Sequence, residues 1–231
     1  MAHLLPKMHA PGMVVFDMDS TLIQMESIDA IAEMAGFGAE VASITEAAMQ
    51  GELDFKEALA QRVAKLEGVT EQLILDMCSN LPWMPGVDAL IEWFKSKRWR
   101  VVIVSGGFTW FADEAARRFN ADHVVCNCLE VVHGKLTGKL LGPIVDAKTK
   151  QQTLLSLMNT WHLDLQQVVA VGDGANDIDM IQAAGTGIAF MAKPALKKVA
   201  DISIEAPDLS LAIHALQGSY PSPQPVPNEA L

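Results

Sequence analysis

Asp17 and Asp19 stand two residues apart, directly after the apolar run Met13–Phe16, in the segment Val14-Val15-Phe16-Asp17-Met18-Asp19-Ser20-Thr21-Leu22. At that spacing two side chains on extended backbone face the same way. Carboxylates this close do not both ionise comfortably without a cation or a shared proton. Asp and Ser also favour turns, so an acidic strand end would explain this pair equally well if it stood alone. A second apolar run, Arg100–Val104, leads into Ser105-Gly106-Gly107. A hydroxyl and two glycines ahead of a helix can present backbone N–H groups to an anion. A third run, Gln167–Val171, leads into Gly172-Asp173-Gly174-Ala175-Asn176-Asp177. Its glycines allow a tight turn and its carboxylates suit a hard cation, although Asp177 could instead cap the helix that follows. Lys150 opens a helical stretch about 23 residues before Asp173, and Lys148 is an alternative two residues earlier. Together these strand ends would bring four or five carboxylates, one hydroxyl and one lysine to one edge, a setting for a divalent cation and a phosphoryl group.

The elements that must hold these residues alternate. Apolar runs at Met13–Phe16, Arg100–Val104 and Gln167–Val171, with weaker ones at Gly187–Met191 and Asp201–Ile204, read as buried strands. Helical patterns lie between them at about Val87–Lys97, Trp110–Phe119, Lys150–Trp161 and Asp177–Ala184. This predicts an α/β fold, a Rossmann-like parallel sheet with helices on both faces. Val124–Leu141 departs from the pattern and reads as a hairpin turning at His133-Gly134. Residues 23–85 carry only helical signals. Ser27 is expected to cap a helix to Ala35 that Gly36 stops, and Asp54 with Glu57 forms a capping box for a helix to Leu66 that Gly68 stops. Four helices here would make an inserted helical-bundle cap (23–85) on a discontinuous core (1–22 and 86–217), over the strand ends where ligands of open α/β sheets bind. Residues 218–231 hold four of the 11 prolines and read as a disordered tail. Within the insertion, Phe55, Leu59, Arg62 and Leu66 share one helical face, and an arginine inside an apolar stripe needs a partner. A substrate carboxylate would match it in bidentate fashion; a structural carboxylate or a snorkelling side chain would also serve.

Composition narrows the classes. Half of the 231 residues are hydrophobic, which excludes a disordered chain. The net charge of −11, with no Lys/Arg run, argues against nucleic-acid binding. No apolar run approaches the roughly 18 residues of a membrane span, and the first dozen residues lack a signal-peptide core. Three cysteines with no zinc-type spacing read as apolar side chains in a reducing cytoplasm.

The four motifs in this order resemble those of the haloacid dehalogenase superfamily of phosphohydrolases, over about residues 13–215. Within it, Asp17–Thr21 (DMDST, of the form DxDST), Val104–Phe108 (VSGGF) and Gly172–Asp177 (GDGAND), with a helical cap after the first motif, resemble the phosphoserine phosphatases. The resemblance implies that Asp17 attacks phosphorus and forms an aspartyl-phosphate, while Asp19 protonates the leaving alkoxide and then activates water. It implies that Ser105 and the N–H of Gly106 hold phosphoryl oxygens and that Lys150 neutralises them. It implies Mg²⁺ on the carboxylates of Asp17 and Asp173 and the backbone carbonyl of Asp19, supported by Asn176 and Asp177. Glu26 would meet the substrate ammonium, Arg62 its carboxylate, and Met49 and Phe55 would pack near it; Asn176 also belongs to the substrate-binding set. An ammonium, a carboxylate and a phosphate describe O-phospho-L-serine, and the implied reaction is the last step of serine biosynthesis.

Met18 departs from the Phe or Gly often found between the two aspartates, and Thr109 stands where relatives sometimes carry an acidic residue. Too little chain precedes Met13 for a regulatory domain, so feedback through one is not expected. Phosphothreonine, another small phosphate monoester or phosphoryl transfer to another alcohol would use the same chemistry. A silent phospho-ligand sensor or a docking adaptor would not, and the intact Asp17, Asp19, Lys150 and Asp173 argue against a sensor. The expected partner is a small phosphorylated amino acid, with no nucleic acid or membrane, and the expected assembly is a monomer or homodimer.

Overall fold

The computed structural model describes residues 6–49 and 52–219. Seven strands form one sheet: β1 (Met13–Phe16), β2 (Arg100–Phe108), β3 (His123–Val132), β4 (Lys135–Leu141), β5 (Val168–Gly172), β6 (Thr186–Phe190) and β7 (Ile202–Ile204). Their order is β4-β3-β2-β1-β5-β6-β7, and every pair is parallel except the hairpin β3–β4. The chain leaves β1 toward β2 and later returns to its other side with β5, so the sequence order reverses between β1 and β5. Such a reversal leaves a crevice at the carboxyl ends of the two strands. The chain that follows β1 and β5 carries Asp17 and Asp173 to it.

The strands read as continuous apolar runs because both faces are covered. Val14, Phe16, Val101, Ile103, Val169 and Val171 belong to one apolar cluster, whereas Met13, Val15, Val102, Val104, Val168 and Ala170 belong to the other. The first cluster takes in α5 (Val87–Ser96), α6 (Thr109–Phe119) and α10 (Leu211–Leu216); the second takes in α7 (Ala147–Thr160) and α8 (Ile178–Ala183). The first cluster also runs without a break into the insertion, through Ile31, Leu59, Val63, Leu66 and Ile74.

The insertion between β1 and α5 holds α1 (Ser27–Ala35), α2 (Gly38–Met49), α3 (Phe55–Ala64) and α4 (Glu71–Cys78), the four helices its composition predicts. Gly36 ends α1 at φ +84°, the left-handed cap a glycine adopts without strain. Asp54 and Glu57 form the expected capping box, but α3 stops at Ala64, before Leu66 and Gly68. Ser27 does not cap α1. Glu26 occupies that position, and the Ser27 hydroxyl is spent elsewhere. Helix α7 begins at Ala147 rather than Lys150, because the Asp146 carboxylate accepts from the Thr149 N–H at 2.8 Å and starts the helix a turn early. The short helix α9 (Pro194–Lys197) lies between β6 and β7. Most of the proposed tail, 220–231, lies outside the described residues. Among the described residues no helix is long and apolar enough to cross a membrane.

Candidate active site

The site is assembled from three strand ends and one helix start. Asp17 follows β1, and its N–H donates to the Val171 carbonyl of β5 at 2.9 Å, so the backbone ladder fixes where its side chain begins. Lys150 lies in the first turn of α7 and is fully buried. An ammonium there opposes the positive end of the helix dipole and needs carboxylates close by. It has two: Asp17 Oδ1 at 2.8 Å and Asp177 Oδ1 at 2.7 Å. Lys148 is exposed, so the structure distinguishes the two lysines. Burial pulls the Lys150 ammonium down, and Asp17 and Asp177 more than reverse this, so it remains protonated.

Asp177 does not cap α8 with its side chain. Its carboxylate accepts from Lys150 and from the N–H groups of Gly174 (3.0 Å) and Asp173 (3.2 Å), which holds the β5 loop in shape. Gly172 makes this possible, since a Cβ there would fall 2.5 Å from Asp177 Cγ. Oxygens of Asp17, Asp173 and Asp177 lie within 4.8 Å of one another. Burial, then Asp177, pushes Asp17 well above the usual carboxylate range despite Lys150. Burial, then Asp177 and Glu26, pushes Asp173 up to about 7. Three carboxylates around one ammonium leave uncompensated negative charge in a desolvated place. An all-oxygen donor set with that surplus fits a hard divalent cation.

Asp19 is also buried, and burial followed by the charge of Glu26 raises its carboxyl to about 7. The Ser27 hydroxyl and N–H both donate to its Oδ2, at 2.6 and 3.0 Å, while Oδ1 is buried with no partner. Sequence reading assigned Ser27 to the helix cap because a serine at a helix start usually caps, and no local signal marks the exception. Between the two, Ser20 adopts φ +56° and donates its hydroxyl to Glu26 Oε1 at 2.7 Å.

Strand β2 carries Ser105-Gly106-Gly107 across a register shift between Val104 and Phe108. Ser105 is fully buried and its Oγ accepts from the Gly107 N–H at 2.8 Å. Asn127 of β3 reaches this loop as well, donating from Nδ2 to the Gly106 carbonyl at 2.8 Å.

A cavity of about 510 Å³ opens over these groups, lined by Asp17, Asp19, Glu26, Phe55, Arg62 and Asn176, with Gly106 and Asp173 at its floor. Thus α1 and α3 bring Glu26, Phe55 and Arg62 onto the same space as the strand-end carboxylates. A Cβ built on Gly106 would lie 4.0 Å from both the Phe55 ring and the Asn176 amide, so the cap reaches the glycine loop. Arg62 keeps only 15% of its side chain exposed; Asp29 stands 4.0 Å from Nη1, and Nε has no hydrogen-bond partner. Met49 ends α2, and its side chain lies outside the described residues. Sequence reading missed Lys193, which lines the cavity and whose N–H donates to the Asp173 carbonyl at 3.0 Å. It also missed Asp29 and Asn127, which lie in no motif.

Comparison with known proteins agrees with this geometry. The haloacid dehalogenase-like hydrolase family matches residues 14–182. The chain is 49% identical to the phosphoserine phosphatase of Idiomarina loihiensis, over 91% of this chain and 96% of that protein. It is 46% identical to the phosphoserine phosphatase of Vibrio cholerae, over 86% of this chain but only 61% of that longer protein. Among solved structures, a phospho-aspartyl intermediate analogue of phosphoserine phosphatase superposes with a TM-score of 0.83 at 37% identity, covering 89% of this chain and 99% of that one. The chain belongs to the haloacid dehalogenase-like hydrolases and, within them, to the phosphoserine phosphatase family.

Proposed function

We propose that the protein hydrolyses O-phospho-L-serine to L-serine and phosphate through an aspartyl-phosphate on Asp17, in the cytoplasm and as the last step of serine biosynthesis. The observation that carries the substrate is Arg62: it lines the cavity that also holds Glu26 and Asp17, and its Nε is buried without a hydrogen-bond partner. A guanidinium, a carboxylate and a nucleophile in one cavity match the carboxylate, ammonium and phosphate of phosphoserine.

Asp17 is the nucleophile. Lys150 holds Asp17 Oδ1 at 2.8 Å, which orients the carboxylate and offsets charge on the transferring group. Asp19, raised to about 7, is protonated often enough near neutral pH to supply the proton a serine alkoxide needs to leave, and then takes one from water. Ser27 fixes Asp19 by Oδ2 and leaves Oδ1 for this work. Ser105 and the Gly106 N–H bind phosphoryl oxygens. The carboxylates of Asp17 and Asp173, with the Asp19 carbonyl, would hold Mg²⁺, which when bound supplies charge neutralisation for the phosphoryl oxygens. Asn176 contacts the substrate from the β5 loop, and Phe55 covers it. Residues 1–22 and 86–217 act as the catalytic core, and 23–85 act as the cap that reads the amino-acid part.

The test is phosphate release from L-phosphoserine, L-phosphothreonine and phenyl phosphate, each with Mg²⁺ and with EDTA. We expect Mg²⁺-dependent release that favours phosphoserine, at least about a thousandfold loss in Asp17→Asn, and a raised KM in Arg62→Ala. Equal release from all three substrates would overturn the serine assignment and keep the phosphatase.

A further inference from the structure

The Ser105–Gly107 loop interrupts the β2–β3 ladder. Val104 pairs with Val125 and Phe108 with Asn127, so β2 spends four steps where β3 spends two. The extra residues bow out of the sheet, and a bowed segment loses ladder partners for its backbone groups. The side chain of Asn127 takes the place of one of them. It is 1% exposed, and its Nδ2 donates to the Gly106 carbonyl at 2.8 Å. Its other end is equally occupied: Oδ1 accepts from the Val145 N–H at 2.8 Å. Val145 immediately precedes Asp146, the cap of the helix that carries Lys150. The Asn127 backbone carbonyl accepts from the Thr109 hydroxyl, just past the loop, at 3.1 Å. One carboxamide therefore ties the glycine loop to the lysine helix.

The bond to Gly106 also has a chemical direction. The Gly106 carbonyl shares a peptide plane with the Gly107 N–H. That N–H donates to Ser105 Oγ at 2.8 Å. A hydroxyl that accepts from the backbone keeps its own hydrogen free to donate. We propose that Asn127 is a positioning residue for phosphoryl binding: by holding the Gly106–Gly107 peptide it makes Ser105 Oγ an acceptor toward the protein, so that the hydroxyl hydrogen is directed to a phosphoryl oxygen. The inference rests on the proposed role of Ser105 and extends it to a residue outside the motifs.

The test compares inorganic phosphate with L-serine as ligands of the 231-residue chain in Mg²⁺, by titration calorimetry and as product inhibitors of phosphoserine hydrolysis. Asn127→Asp keeps the acceptor for Val145 and removes the donor to Gly106. It is expected to weaken phosphate binding by about tenfold or more, the range for a lost hydrogen bond to a charged group, and to lower kcat. L-serine binding should stay unchanged, because Glu26 and Arg62 are not in this network. In a Ser105→Ala background the same change should cost phosphate little further, since Asn127 would act through that hydroxyl. If Asn127→Asp does not fold, Asn127→Ser carries the same measurements. Unchanged phosphate affinity, equal loss for phosphate and serine, or full additivity with Ser105→Ala would each overturn the proposal. A wild-type protein that binds phosphate but does not hydrolyse phosphoserine would overturn the substrate instead, and the phosphate titration would still decide Asn127.

Discussion

Asp19 illustrates how one side chain is made fit for proton transfer at the expense of stability. Its carboxyl rises from 3.8 to about 7, first through burial and then through the nearby charge of Glu26. Below the unfolded pKa, near 4, it is protonated in both states and has no pH-linked effect on folding. As pH rises, the unfolded chain ionises first, so the folded state is progressively disfavoured, and the full penalty is reached above about pH 7. A shift of about three units corresponds to at most about 4 kcal/mol. In metal-free protein, Asp19→Asn should therefore raise the thermal midpoint at pH 8, and the gain should vanish by about pH 4 while phosphoserine hydrolysis is lost. Thermal melts at both pH values in EDTA check this, and a gain that is the same at both would show that the carboxylate is not held at a raised pKa. The proposed proton donor was legible through the resemblance of Asp17–Thr21 to the phosphoserine phosphatase motif, since the spacing to Asp17 alone fits an acidic strand end as well. Its partner Ser27 was not, because sequence offers a serine at a helix start the commoner task of capping.

At the scale of elements, the site depends on two strand ends approaching more closely than side chains usually permit. A Cβ at Gly107 would lie 2.7 Å from Met18 Cε, 2.9 Å from Ser27 Oγ and 3.0 Å from Asp19 Oδ2. The methionine tip can swing aside, but the Ser27–Asp19 pair is buried and hydrogen-bonded. Gly107→Ala should thus cost about 1–3 kcal/mol, the usual range for overpacking, and should reduce kcat by separating Asp19 from Ser27. Urea unfolding and steady-state kinetics on the variant measure both; a neutral substitution would mean that the loop after β1 yields freely. The strands that create this approach were readable because burial on both faces makes them continuous apolar runs. The hairpin was readable from His133-Gly134, which adopt φ +52° and +72° at its turn. The bow in β2 was not readable, since a register shift is a property of two strands and the sequence shows each one separately. The choice of Lys150 over Lys148 was hidden for a similar reason: it depends on where α7 starts, and the Asp146 cap moved that start to Ala147.

For the molecule as a whole, the insertion is joined to the sheet in two unlike ways. Its base shares the apolar cluster that runs from Phe16 and Phe94 into Leu59, Val63 and Leu66, so separating it entirely would expose much of the core. Its tip, by contrast, meets the core at the site's mouth through charge. Lys56, next to Phe55 in the first turn of α3, places Nζ 2.9 Å from Asp146 Oδ2. Lys56 and the Thr149 donors hold the Asp146 carboxyl below the usual range, so the pair stays ionised throughout the physiological pH window. An exposed ion pair of this kind contributes little to folding and is screened by salt. It can still favour this placement of the tip over one lifted away from the core, because only this placement brings the two charges together. Lys56→Met should accordingly raise KM for phosphoserine a few-fold at low ionic strength with little change in thermal stability. The difference from wild type should shrink as NaCl approaches about 1 M, where the screening length falls to about 3 Å. KM measured against NaCl for both proteins decides the matter: parallel curves would show that the ion pair does not seat the tip and would leave apolar packing to hold the insertion alone.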